Sequence, residues 1–327
     1  MSIMKHWRIA YGAAFVCGAA ALTIALVINA PSIATKTINK LDFNWAFWSP
    51  SVLELGVLPY IGLWVILALL ERRFPAGSVK PASNWFLNLK INLLGLITSP
   101  LLAVLLGVLL GYVSSSLDVG FFDLRITQGV GIGRALVAFF IWFFAIDFFY
   151  YWWHRFQHES FLWQQHKVHH LDENVSAVTA LRVHWLENLT YLPMVTLPTT
   201  LLFKFDPATG GIALGVISLF TAFWQTFFHA NLKVGFGWAS PLFVSPQIHR
   251  IHHSRLAEHF DKNFAGYFPI IDVVFGTYYH PRPDEYPPTG VQGEKDVESF
   301  RESLFLPVRE WWKMFRAWRT RDTSVPV

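Results

Sequence analysis

The chain has 327 residues, 53% of them hydrophobic and only 15% charged, with 15 Trp, 30 Phe and a formal charge of +4. That balance departs from an ordinary soluble domain toward the membrane class, and so small a basic excess calls for no nucleic-acid partner. The lone cysteine, Cys17, excludes a disulfide framework and any Cys-based zinc or iron–sulfur site.

In chain order, four apolar runs come first, at residues 9–29, 52–70, 91–113 and 135–153. Each is about long enough to cross a hydrocarbon core that needs roughly 20 apolar residues, so each reads as a transmembrane helix. The first follows Lys5 and Arg8, but its length exceeds the roughly 7–15 residues of a signal-peptide core, and it reads as an uncleaved anchor. Four crossings put both chain ends on one side. Lys5, Arg8, Arg72, Arg73, Lys80 and Lys90 fall there, against Lys36, Lys40, Arg125 and Arg134 opposite, and 16 of the 26 basic residues follow Trp153. The positive-inside rule makes that side cytoplasmic.

Past the fourth run stand His154-Arg155-Phe156-Gln157-His158 and His166-Lys167-Val168-His169-His170, and later His249-Arg250-Ile251-His252-His253. Eleven of the 13 histidines lie between His154 and His259. Residues i, i+3 and i+4 share a helix face, so each H-x-x-H-H is expected to place three imidazoles together and the H-x-x-x-H two. Asp147 sits seven and eleven residues before the first pair, on the same face. A carboxylate in a transmembrane helix is a functional candidate, here as acceptor for the unligated N–H of a metal-binding imidazole. Asp172, Glu173, Glu187, Asn231 and Asn263 are further candidates of that kind.

Apolar stretches at 189–203 and 211–228, the first carrying Pro193 and Pro198, read as a hairpin that enters the bilayer and returns His229 to the clusters. Residues 281–298 read as a loop. Val308, Trp311, Trp312, Phe315 and Trp318 or Arg319 then mark one face of a basic amphipathic helix, suited to the membrane interface or to packing on the protein itself. The expected fold is all-α: a multi-pass membrane bundle of about four spans plus the hairpin, under a cytosolic His-rich helical cap. Residues 1–134 form its N-terminal membrane region, 135–280 its metal-bearing region and 281–327 a loop and interfacial helix.

Imidazoles suit Zn, Fe, Cu or Ni. One zinc needs only about three or four protein ligands, so eight clustered histidines with His229 and His184 favour two metals. The hydrolase signature H-E-x-x-H is absent, because Leu162 stands where its second His would be. A haem or other zinc protein and a histidine-based metal transporter are the rival classes. Only Glu54 and Asp147 are acidic within the four runs, which disfavours transport.

The order of the clusters resembles the fatty acid hydroxylase and sterol desaturase superfamily of membrane di-iron oxygenases. So do Tyr151-Trp152-Trp153-His154-Arg155, the Thr179–Glu187 segment, in which Trp185 replaces a proline, and Phe228-His229-Ala230-Asn231. Asp261-Lys262-Asn263-Phe264 and Asp272-Val273-Val274-Phe275-Gly276-Thr277-Tyr278 complete the likeness, with Ile271 in place of a tryptophan. It covers about residues 135–280. The resemblance implies that His154, His158, His166, His169, His170, His229, His249, His252 and His253 bind two irons, with zinc possible in purified protein, and that O2 is co-substrate. His184 is a candidate tenth ligand, because Gln225 occupies a position where some relatives carry histidine. His259, His6 and His280 are read as structural.

The implied reaction is hydroxylation of a membrane-lipid C–H bond, on an acyl chain or a polar head group such as that of a bacterial aminolipid like ornithine lipid. Sterol or fatty-acid desaturation at the same metal site is the alternative. Electrons come from an external donor of ferredoxin, cytochrome b5 or reductase type, since the chain has no flavin or nicotinamide fingerprint. A bacterial inner membrane, with the metal on the cytoplasmic side, is the expected location.

Overall fold

A computed structural model describes residues 58–78, 85–91, 94, 122–123, 132–204 and 220–320. The expected crossing at 9–29, most of that at 91–113 and the start of the 211–228 stretch lie outside the described residues. What is described is helical: α1 (Leu58–Arg73), α2 (85–91), α3 (Ile132–Gln157), α4 (Ser160–His170), α5 (Glu187–Tyr191), α6 (Leu197–Leu202), α7 (220–229), α8 (Pro246–His252), α9 (Ile270–Phe275) and α10 (Phe300–Thr320). One departure from an all-α chain is a two-residue parallel pairing of β1 (Phe122–Asp123) with β2 (Phe203–Lys204).

Helix α3 organises the rest. Its 26 residues rise about 39 Å, and Val137–Gln157 is, among the described residues, the one helix long and apolar enough to cross a membrane. Aromatic side chains make its packed face. Trp142, Phe143 and Tyr151 are buried in one cluster with Phe203, Phe264, Tyr267, Phe268 and Ile271. Alongside runs the 187–202 stretch, where α5 passes through a π-turn at Leu192–Thr196 into α6. Pro193 and Pro198 have no N–H to donate to the preceding turn, so the helix absorbs them by widening rather than continuing regularly.

Helix α10 packs on α4, but not through the whole apolar stripe read from sequence. Trp311 turns inward, stacking on Phe161 with ring centres 4.9 Å apart and donating its indole N–H to the Phe161 carbonyl at 2.7 Å. Leu306, Met314 and Ala317 are buried beside it. Phe305, Val308, Trp312, Phe315 and Trp318 stay exposed. The helix therefore has two apolar faces, one packed and one open.

Candidate metal centre

Nine histidines converge in two abutting sets, both almost wholly buried. His154, His158, His166, His170 and His252 form one, and His169, His229, His249 and His253 the other; within each, one nitrogen per ring lies within 4.8 Å of all the rest. The division follows helical geometry. Each i,i+4 pair, 154/158 at the end of α3, 166/170 on α4 and 249/253 at α8, goes to a single set, because positions four apart differ by only about 40° around the helix. The remaining members, His169 and His252, point about 60° away from the first residue of their motif and cross to the other set. Each H-x-x-H-H thus divides two and one between the sets, instead of presenting three imidazoles together.

Hydrogen bonds fix which nitrogen is free. The Nδ1–H of His154 donates to the Phe264 carbonyl at 2.7 Å, that of His169 to Arg182 at 3.2 Å, that of His229 to Gln225 at 2.7 Å and that of His252 to Lys262 at 2.9 Å. Carbonyls can only accept, so the proton sits on Nδ1 and Nε2 carries a bare lone pair. His229 Nε2 nevertheless lies 3.2 Å from His169 Nε2. Two lone pairs facing each other inside a protein repel unless a cation stands between them. His158 Nε2 and His252 Nε2 are buried with no hydrogen-bond partner, which a metal would also supply.

Distances agree with ligation. Neighbouring Nε2 atoms are 2.8–3.2 Å apart across His154–His166, His166–His170, His169–His229, His229–His249 and His249–His253. Ligands held about 2.0–2.1 Å from one ion at right angles stand about 2.9 Å from each other. Burial pushes His169 down to about 4, and His166, His170, His249, His252 and His253 well below the usual histidine range, so the rings are neutral donors at pH 7. These residues fit a metal pair.

The other expected site residues divide. Glu187 is buried, and its carboxylate accepts from His166 Nδ1 at 2.9 Å, Gln157 Nε2 at 2.8 Å and the His184 backbone N–H at 3.0 Å. Burial raises it to about 8, opposed by the bonds from Gln157 and His184. His184 joins neither set: its Nε2 meets the Leu304 carbonyl at 3.2 Å and its Nδ1 accepts the Leu186 N–H at 3.3 Å. Asp147 accepts the backbone N–H groups of Gly266, Tyr267 and Phe268 instead of an imidazole. Asn231 bridges Gly77, Ser78 and Arg250, and Asn263 binds both backbone groups of Tyr279. The Gln225 side chain donates to the Tyr267 hydroxyl at 3.1 Å, while its carbonyl serves His229. Asp172 accepts from Asn88 and Thr179 and faces Arg182 at 3.8 Å.

Arg182 carries weight that sequence reasoning did not give it. Fully buried, it donates to the Val168 carbonyl and Asn88 and pairs with Asp296, so its own carbonyl is fixed where His169 needs an acceptor. The backbone carbonyls of Phe264 and Lys262 were equally invisible, since any residue supplies one. A first expected result follows at Glu187. Glu187→Gln keeps the volume but puts an amide NH2 where a carboxyl oxygen faces His166 Nδ1 or the His184 N–H, and metal affinity, read by competition with a chromophoric chelator, should fall about 10–100-fold. Unchanged affinity would mean that the contact does not orient a ligand.

Residues 139–277, which hold all nine convergent histidines, match the sequence profile of the fatty acid hydroxylase family. The chain is 33% identical over 137 residues to an alkylglycerol monooxygenase of Homo sapiens, covering 42% of this chain and 29% of that protein. It is 28% identical over 155 residues to the ornithine lipid hydroxylase OlsE of Rhizobium tropici, covering 47% of this chain and 45% of that one. A third relative, the CER1-like 1 protein of Arabidopsis thaliana, is 27% identical over 147 residues, covering 40% and 22%. The chain thus spans less than half the length of each, and no solved structure gives a match. Over residues 139–277, then, the chain carries the sequence pattern of a fatty acid hydroxylase domain.

Proposed function

We propose that the chain is an integral-membrane di-iron oxygenase that hydroxylates a C–H bond of a polar membrane lipid, on its acyl chain or head group. One observation carries the metal reading: paired Nε2 lone pairs whose tautomers are fixed by backbone carbonyls, 3.2 Å apart in a buried cluster. His154, His158, His166, His170 and His252 would hold one iron, and His169, His229, His249 and His253 the other. Iron supplies the oxygen activation that no side chain can direct at an unactivated C–H bond. The chain's own residues orient the ligands through Glu187, Arg182 and the 262–264 backbone, and they keep water from both sets by burial.

The names of the relatives, a monooxygenase of alkylglycerol and a hydroxylase of ornithine lipid, favour hydroxylation over desaturation and a polar lipid over a sterol. Four crossings with the metal on the cytoplasmic side of a bacterial inner membrane fit the basic-residue distribution. An external donor of ferredoxin, cytochrome b5 or reductase type would deliver electrons. The open face of α10, bordered by Arg309, Lys313, Arg316 and Arg319, suits the lipid interface. Lipid extracts from cells expressing the chain, compared by mass spectrometry with cells expressing the His169→Ala form, are expected to gain species heavier by one oxygen. Species lighter by two hydrogens would replace hydroxylation with desaturation, and no change in a lipid-replete host would overturn the reading.

A further inference from the structure

Of two nearly uncharged stretches, one packs along α3 on the side of the metal sets that faces its N-terminal end, and the other packs on the first. Residues 234–246 contain no Asp, Glu, Lys, Arg or His, and residues 263–279 contain only Asp272. They pack together, the Val244 N–H donating to the Tyr267 carbonyl at 3.1 Å and Phe243 lying 6.2 Å from Phe268 between ring centres. Their outer surface is apolar and open. Trp238 is 88% and Val274 70% exposed, with Phe243 and Val273 exposed beside them. For a water-facing surface this is a large penalty with no return.

The stretch reaches far along the span. The Phe268 ring meets those of Phe140, Phe143 and Phe144. These precede His154 by ten to fourteen residues, or about 15–21 Å of helix. Irregular backbone at that depth is tolerated only where it is buried in protein and its N–H and C=O groups find partners without water, and Phe264, Ala265, Tyr267 and Phe268 are all buried. Here the amides of five consecutive residues end on two fully buried carboxylates. Asp147 takes Gly266, Tyr267 and Phe268 at 2.7–3.1 Å, and Asp272 takes Phe264 and Ala265 at 2.7 and 2.9 Å. Asn263, in the left-handed region at φ 58°, closes the neck by bonding both backbone groups of Tyr279. A loop in water has no need of such provision.

We propose that the exposed apolar side chains of residues 263–279, and of residues 238–243 packed against them, face the hydrocarbon beside α3, in contact with acyl chains of the same bilayer. The proposal rests on the membrane reading above. It moves the segment following the third histidine motif from a cytosolic cap into the membrane, where it forms a wall from mid-bilayer up to the metal. The Phe264 carbonyl that holds His154 belongs to this wall, so the lipid-facing loop and the metal ligand are one piece of backbone.

The test uses the full chain in phosphatidylcholine nanodiscs with and without brominated acyl chains. In a Cys17→Ser background, a fluorophore is placed at Trp238→Cys or Val274→Cys, at Phe140→Cys as a span reference and at Lys295→Cys as an aqueous reference. Labels at 238 and 274 are expected to match the 140 label, quenched several-fold by bromine and shielded from aqueous iodide. Quenching by iodide like the 295 label, or shielding from both quenchers as by a second protein surface, would overturn the proposal. If the 140 label itself escapes bromine, the membrane reading fails instead.

Discussion

His229→Ala is expected to lower tightly bound iron from about two per chain to about one, while His184→Ala leaves it at about two. The four-donor set has none to spare, and His229 is central to it, with Nε2 3.2 Å from that of His169 and 2.8 Å from that of His249. His158→Ala is the internal comparison. It leaves four imidazoles in its own set, and its Nδ1 has only a 3.5 Å approach to the exposed Asp261 carboxylate, so most of that metal should remain. His184 is buried yet engaged with Leu304 and Leu186, so its loss should reduce thermal stability without releasing metal. Plasma mass spectrometry of iron against protein concentration, after dialysis with a chelator, reads all three variants. Equal iron loss from His184→Ala and His229→Ala would mean that the fourfold set is wrongly drawn.

Sequence spacing makes eight of the nine convergent histidines visible, His229 being the exception, because metal binding restricts residue type and one i,i+4 pair with two i,i+3,i+4 motifs is hard to explain otherwise. It left their partition hidden. Which imidazole of a motif turns to which set depends on where α3, α4 and α8 cross, and nothing local to His169 or His252 records that. Glu187 was legible as a carboxylate near a motif, whereas the acceptors for His154, His169, His229 and His252 are backbone carbonyls, which any sequence supplies. Helix α3 announced itself by length and apolarity. The inward turn of Trp311 did not, because an amphipathic pattern shows which residues are apolar and not which of two apolar arcs is packed.

Asp147 shows the same limit at higher stakes. Its register with His154 and His158 suggests an imidazole partner, yet the carboxylate holds three successive amides of the loop. Asp147→Asn is therefore expected to be severely destabilising: one oxygen becomes an NH2 that faces amide donors it cannot bond. One or two buried N–H groups lose their acceptor at about 1–3 kcal/mol each, for a total of about 1–6 kcal/mol. Asp147→Ala strands all three and should be worse. Gly266 closes the alternative of rebuilding the contact from the loop side, since a Cβ there would stand 3.1 Å from Asp147 Oδ1 and 3.1 Å from the Tyr150 ring. Displacement of the loop also removes the Phe264 carbonyl from His154, so iron should be lost together with thermal stability in detergent, whereas Glu187→Gln should weaken metal binding with a smaller change in melting temperature. An Asp147→Asn protein that melts normally and keeps its iron would show that the loop stands without the carboxylate, and would take away the main physical reason for placing that loop in hydrocarbon.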